Sequence, residues 1–257
     1  MSRFATSRRS LLALARTALT SPRVVVAEFV GTALLLCAIV GSGIMAERLF
    51  QGNVGLALLA NAIATGGALA ALILAFGPIS GAHLNPAVTL ADAWQGGIAW
   101  AAVVPYVVAQ ITGALCGTAL ANGMFGLPLF FVSGHARSGL GMLVSESVAT
   151  FGLLVVIWGC VRVRSAATPY AVAAYIVGAY WFTPSTSFAN PAVTIARSLT
   201  DTFAGIRPQD APAFIAAQLA GAFAATALFA WLSPIPKRTA EAVIMPHTRV
   251  AGELARR

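Results

Sequence analysis

The sequence predicts an all-α membrane protein, with six transmembrane helices and two re-entrant half-helices arranged as an inverted repeat. Three observations carry this. Of the 257 residues, 58% are hydrophobic and 9% charged, whereas a soluble domain carries about a quarter charged residues. No Asp, Glu, Lys or Arg occurs between Arg48 and Asp92, or between Asp92 and Arg137. A single span takes roughly 20 apolar residues, so each run exceeds one helix. Finally, "SGAHLNPAVTLAD" at 80–92 returns as "TSFANPAVTIARS" at 186–198.

Apolar runs read against their charges and glycines place full spans near 24–46, 54–76, 98–123, 141–162, 168–184 and 211–232. A channel-sized membrane domain thus covers 24–232, in halves of about 24–123 and 141–232, between basic tails at 1–23 and 233–257. Orientation follows from the basic residues. The five arginines before Val24, then Arg162 and Arg164, then Lys237, Arg238, Arg249, Arg256 and Arg257 share one side, 12 of the 16 basic residues. Arg48, Arg137, Arg197 and Arg207 take the other. Basic residues favour the cytoplasmic side, so both termini are expected there, in the cell's inner (plasma) membrane. The "SRRSLL" at 7–12 has the look of a twin-arginine signal, but Arg16 interrupts the apolar stretch behind it and no small-residue cleavage site follows. It reads as tail.

Two apolar stretches remain, 77–97 and 185–204, each holding one NPAVT. They are too short to span and too apolar for solvent. Non-helical backbone at membrane depth is tolerated only where protein buries it or a watery cavity receives it. An entering strand followed by a short helix satisfies that, and a helix from Pro86 to Gln95 would be roughly 15 Å long, half the bilayer core. The halves also match: Glu28 and Thr32 with Glu146 and Thr150, Asn85 with Asn190, and Gln110, Gly113 and Gly117 with Gln218, Gly221 and Ala225. Three spans per half is an odd number, so the second half is inverted. Inverted repeats place a shared site at the midplane, where broken helices meet. The glycine pairs read as small-residue helix packing.

Asn-Pro-Ala suits such a meeting point. Pro86 and Pro191 at the first helical position leave no N–H unsatisfied. Asn85 and Asn190 can cap those helices through the side-chain oxygen and keep amide hydrogens to donate outward. Ala87 and Ala192 are small enough for two helix ends to approach. Each half-helix N-terminus carries roughly half a positive charge, so the pair favours neutral oxygen-bearing solutes over cations.

Composition excludes other classes. The net charge of +8 sits mostly in the tails, which suits anchoring at anionic lipid rather than nucleic-acid binding. Cys37, Cys116 and Cys160 lie in apolar runs, without metal-ligand or disulfide spacing, and no cofactor or metal is expected. No Ser–His–Asp or Cys–His constellation supports an enzyme. A proton- or ion-coupled transporter built on Glu28 and Glu146 is the competing reading, because ionisable residues within a membrane are functional candidates. No intramembrane Lys, Arg or His partner appears for them.

Over about 24–232 the chain resembles the aquaporin, or major intrinsic protein, family, through "AEFVGT", "SGAHLNPAVT", "SFANPAVT", the paired glutamates and the Gln-bearing third and sixth spans. The resemblance implies a homotetramer with one pore per protomer, passing water or small uncharged solutes. It implies that Glu28 and Glu146 brace the re-entrant loops and that His83 lies beside the cytoplasmic half of the pore. Most members read Asn-Pro-Ala-Arg at the second motif; here Val193 stands in the arginine's place. The family's spacing assigns the other filter positions to Ser187, Gly178 and Thr65. That set has no aromatic, histidine or charge, and it implies a wide, neutral outer mouth. The chain is also similar to a bacterial branch with Val at this position, linked to arsenical resistance. Glycerol, urea and arsenite are thus the expected solutes. Arg197 lies one turn beyond Val193, either at the pore rim or snorkelling to the interface and pairing with Asp201.

Overall fold

The computed structural model describes residues 21–233, so the tails, apart from 21–23 and 233, and the "SRRSLL" stretch lie outside the described residues. Within them the chain forms α1 (Pro22–Phe50), α2 (Val54–Ser80), α3 (Pro86–Gln95), α4 (Trp100–Met124) and α5 (Leu140–Val163). After a 3-10 turn at Ser165–Ala167 come α6 (Thr168–Phe182), α7 (Pro191–Arg197) and α8 (Ala211–Leu232). Five of these, α1, α2, α4, α5 and α8, are long and apolar enough to cross a membrane. The expected span at 168–184 is the 15-residue α6, which rises about 22 Å at 1.5 Å per residue and is extended by the 3-10 turn.

α1 runs four residues past its expected end, to Phe50, and so does α2, to Ser80. Pro78 sits in its last turn, and the helix stops only at Gly81, whose φ of 84° is left-handed. The first re-entrant backbone is therefore confined to 81–85. In the second half, α7 ends at Arg197, and residues 198–210 return irregularly to α8.

The inverted repeat is visible in the packing. α1 packs on α2 and α4, as α5 packs on α6 and α8; α3 contacts α4 and α8, as α7 contacts α8 and α4; and α3 meets α7. Alternation of the spans puts residues 21 and 233 on one side, the terminus side, and the 125–139 loop on the far side. That loop ties down the second half: the N–H groups of Phe131 and Ser133 donate to Leu199 O and Ser198 O at 3.1 and 3.0 Å.

The tight pairings rest on small residues. A Cβ on Gly117 would overlap the Ala33 carbonyl oxygen, one on Gly113 the Phe29 oxygen, and one on Gly221 the Ser147 oxygen. The carbonyls cannot retreat without opening the α1 or α5 ladder. Gly117→Ala is therefore expected to destabilise the protein by about 1–3 kcal/mol, as overpacking does. Gly67→Ala, where a Cβ would meet nothing within 4 Å, should be neutral or slightly stabilising. Thermal melts of the two variants in detergent make the comparison; equal melting temperatures would contradict the close approach.

Candidate functional site

Two half-helices start where the Asn-Pro pairs stand. Asn85 and Asn190 are extended, at φ −158° and ψ 119° and 113°, with Pro at the first helical turn of each helix. Asn85 Oδ1 accepts from Ala87 N at 2.9 Å; Asn190 Oδ1 accepts from Ala192 N at 3.0 Å and Val193 N at 3.4 Å. Each amide also reaches across the repeat. Asn85 Nδ2 donates to Ala189 O and Asn190 Nδ2 to Leu84 O, both at 2.8 Å. That uses one of the two hydrogens on each amide, leaving one for the cavity that both residues line.

The approach backbone is strained in the same way twice. Ala82 and Leu84 have φ of 46° and 48°, and Ser187 and Ala189 have φ of 52° and 49°. These are the positions three and one before each Asn. A left-handed L-residue costs about 1–2 kcal/mol, so something must hold each one. The buried glutamates do. Glu28 accepts from Ser80 Oγ at 2.6 Å, His83 N at 3.0 Å, Leu84 N at 2.7 Å and Gln110 Nε2 at 2.8 Å. Glu146 accepts from Phe188 N at 2.9 Å, Ala189 N at 3.0 Å and Gln218 Nε2 at 2.7 Å. Gln110 and Gln218 also donate to Thr89 and Thr194, whose hydroxyls bond back to the carbonyls of Asn85 and Asn190. Neither glutamate lines the cavity.

The cavity runs along α6. Thr168, Val172, Ile176 and Tyr180 line it at four-residue intervals. Gly178 is two residues, about 200°, from both Ile176 and Tyr180 and is absent from the lining. This corrects the filter position counted from family spacing, which assumed a connector of fixed length before Asn190. Thr65, Ser187 and Val193 do line the cavity. Tyr180 joins them: its hydroxyl is 3.3 Å from Thr65 Oγ1 and the residue is buried. The far mouth therefore contains an aromatic ring that the sequence reading left out. Tyr180→Ala should raise the permeability ratio of large to small solutes several-fold in vesicle swelling; an unchanged ratio would place the ring outside the constriction. The four-residue stripe on α6 was readable in the sequence and could have found it.

His83 lines the terminus-side half of the cavity. Its Nδ1 is 3.1 Å from Thr89 Oγ1, its Nε2 is 3.5 Å from Asp92 Oδ2, and its ring lies 5.1 Å from that of Tyr106. Asp92 is the one charge between Arg48 and Arg137, a signal of its own that marked only a boundary in the sequence. It is buried within α3, and its Oδ1 has no partner among the described residues.

Arg197 neither snorkels nor pairs with Asp201. It is 2% exposed, lines the cavity, donates through Nε to Ala204 O, and sets its guanidinium carbon 3.4 Å from the Phe188 ring centroid. Asp201 instead accepts from Gly134 N at 2.8 Å. The missed residue here is Arg137, brought in by the far-side loop. It donates to Gly205 O at 2.7 Å and Ser185 O at 3.0 Å and lies 5.0 Å from the same Phe188 ring. Burial holds the Arg137 guanidinium below its usual range, with Glu146 and Tyr180 opposing. Burial would raise Asp210, but bonds from Arg207 and from Arg137 N hold it below the usual carboxylate range.

Comparison with known proteins agrees with this architecture. The family described as "Major intrinsic protein" matches residues 16–186 and again 160–254, two stretches that together cover most of the chain and overlap at 160–186. Aquaglyceroporin AqpS of Rhizobium meliloti is 52% identical over 207 residues, 80% of this chain and 88% of its own. Glycerol uptake facilitator protein of Streptococcus pneumoniae is 31% identical over 169 residues, 59% of this chain and 70% of its own. Aquaporin Z of Rhodopseudomonas palustris is 34% identical over 168 residues, 59% of this chain and 68% of its own. With two inverted halves meeting at paired Asn-capped half-helices, the chain belongs to the major intrinsic protein family and is a multi-pass membrane channel rather than an enzyme.

Proposed function

We propose that this chain is a passive pore for small uncharged solutes, with glycerol and water among them and urea and metalloid hydroxides such as arsenite in the same class of size and charge. The observation that carries this is the meeting of two Asn-capped half-helix N-termini in a cavity whose wall between its polar groups is aliphatic, with Leu69, Ile73, Val172 and Ile176 among its residues. Amide donors take a solute's oxygen, and the aliphatic wall takes its carbon face. The facing helix ends add positive potential that cations meet without compensation. Glycerol is favoured by the likeness to proteins named aquaglyceroporin and glycerol uptake facilitator.

In this reading Thr65, Ser187, Val193 and Tyr180 form the outer filter, Glu28 and Glu146 brace the loops, and His83 lines the cytoplasmic half. The far side is the outside, and both termini are cytoplasmic in the inner membrane, supported by the side-to-side bias of basic residues. A homotetramer is the family's assembly, and exposed apolar residues on the spans, among them Val104, Val108 and Val148, suit lipid or a second copy. Proton coupling through the glutamates is disfavoured by their position, since both are fully buried behind the loops and bonded to donors.

The test is stopped-flow light scattering of proteoliposomes with no ion gradient. Shrinkage in sucrose and reswelling in glycerol, urea or arsenite should accelerate over empty liposomes. Unchanged rates for every solute, water included, would refute the proposal.

A further inference from the structure

At the outer mouth, Val193 offers two methyl groups where a charge would be expected, yet the mouth is not neutral. Arg197, the last residue of α7, is held from two directions, by its Nε bond to Ala204 O and by its stack on Phe188. Its terminal amino groups donate to no atom among the described residues, while the residue lines the cavity beside Ser187 and Val193. A buried guanidinium with unmet donors is costly, so the cavity's contents must meet them. Ser187 Oγ is in the same position: buried, on the cavity wall and without a partner. A planar donor fork and a hydroxyl beside the Val193 methyls suit a solute with neighbouring hydroxyls and one apolar edge.

No carboxylate pairs directly with the charge there. Arg137 shares the Phe188 ring at 5.0 Å. The carboxylates in reach are engaged elsewhere: Asp201 with Gly134 N, Asp210 with Arg207 and Arg137 N, and Glu146 with the re-entrant loop and Gln218. Among the described residues neither Arg137 nor Arg197 forms an ion pair. Arg197 thus faces an entering ion at the mouth of a low-dielectric passage, with Arg137 a second positive charge beside the same ring, and a positive wall there focuses repulsion.

We propose that Arg197 is the cation-excluding and solute-orienting residue of the outer constriction, acting from one helical turn beyond the place where Val193 has neither charge nor donors. Arg137 adds the second charge. The proposal rests on the channel reading.

Arg197→Met keeps much of the side chain's length against Phe188 and removes its charge and donors. In proteoliposomes carrying an entrapped pH dye, its proton and potassium leaks should rise several-fold over the unsubstituted protein, and its glycerol-to-water permeability ratio should change. Arg137→Met should raise the leaks by less. A folded Arg197→Met protein with normal water flux, unchanged leaks and an unchanged ratio would overturn the proposal. If instead the unsubstituted protein moves neither water nor glycerol, it is the channel reading that fails.

Should Arg197→Met not fold, the native arginine is probed from its neighbour by Val193→Cys, with Cys37, Cys116 and Cys160 replaced by Ser. A methanethiosulfonate carrying a sulfonate should then modify Cys at 193 about tenfold faster than one carrying a trimethylammonium, relative to their rates on a free thiol. Equal relative rates, or no modification by either reagent, would overturn the proposal.

Discussion

Replacing Glu28 by Leu is expected to remove the folded channel. Leu matches Glu roughly in volume and would not disturb packing, but the side chain is fully buried and accepts four hydrogen bonds. Ser80 Oγ, His83 N, Leu84 N and Gln110 Nε2 would each lose a partner. A buried donor left unsatisfied costs about 1–3 kcal/mol, and two of these sit at or beside the left-handed residues Ala82 and Leu84. The sum is several kcal/mol against a typical stability of about 5–15 kcal/mol. It also falls on the segment that presents Asn85. Glu28→Gln keeps one acceptor oxygen but turns the other into an amino group facing Leu84 N and Gln110 Nε2, so an intermediate loss is expected. Glu146→Leu should resemble Glu28→Leu, with three donors orphaned instead of four. Thermal melts in detergent, with swelling assays at matched protein density, measure this. A Glu28→Leu protein that melts within a few degrees of the starting one and conducts normally would show that the loops hold themselves.

Val193→Arg should close the pore to its larger solutes. Val193 is 2% exposed and lines the cavity with Ser187, Thr65 and Tyr180. A guanidinium there has no room behind α7, where Ala189 and Ala196 are fully buried, so it must project into the lumen. Ser187 Oγ, without a partner, is an available acceptor. The nearby Arg197 is a like charge one turn away, which directs the new guanidinium away from it and into the lumen. The ring of Tyr180 already lines the mouth, and the new side chain adds to its bulk. Glycerol, urea and arsenite flux should fall several-fold or more, while water flux falls less. Val193→Ala should hold or raise large-solute flux. Solute-to-water ratios from stopped-flow swelling decide it; ratios unchanged by the arginine would mean that residue 193 does not face the lumen.

Much of this architecture was legible because it is local. Hydropathy set the spans, and the first half-helix runs from Pro86 to Gln95 as read from the Asn-Pro pair and the bilayer's thickness. The inverted repeat needed only matched residues and an odd number of spans. Errors arose where a position depended on a distance between elements. Gly178 was counted across a connector whose length the sequence does not declare, and it falls off the pore face while Tyr180 falls on it. For Arg197 the sequence left two places open, the pore rim and the outer interface. The partners that bury it, Phe188 and Ala204, are nine and seven residues away and meet it only after the re-entrant loop and the return to α8 have closed.

By itself the sequence determined the membrane class, the two halves and the capped half-helices, because span length, capping and repeat identity are properties of short segments. The tertiary structure alone decided which side chains form the far mouth. A helix face is chosen by what packs behind it, a left-handed loop is held only by a carboxylate from another helix, and a buried arginine's orientation is fixed by a ring and a carbonyl that chain order leaves apart.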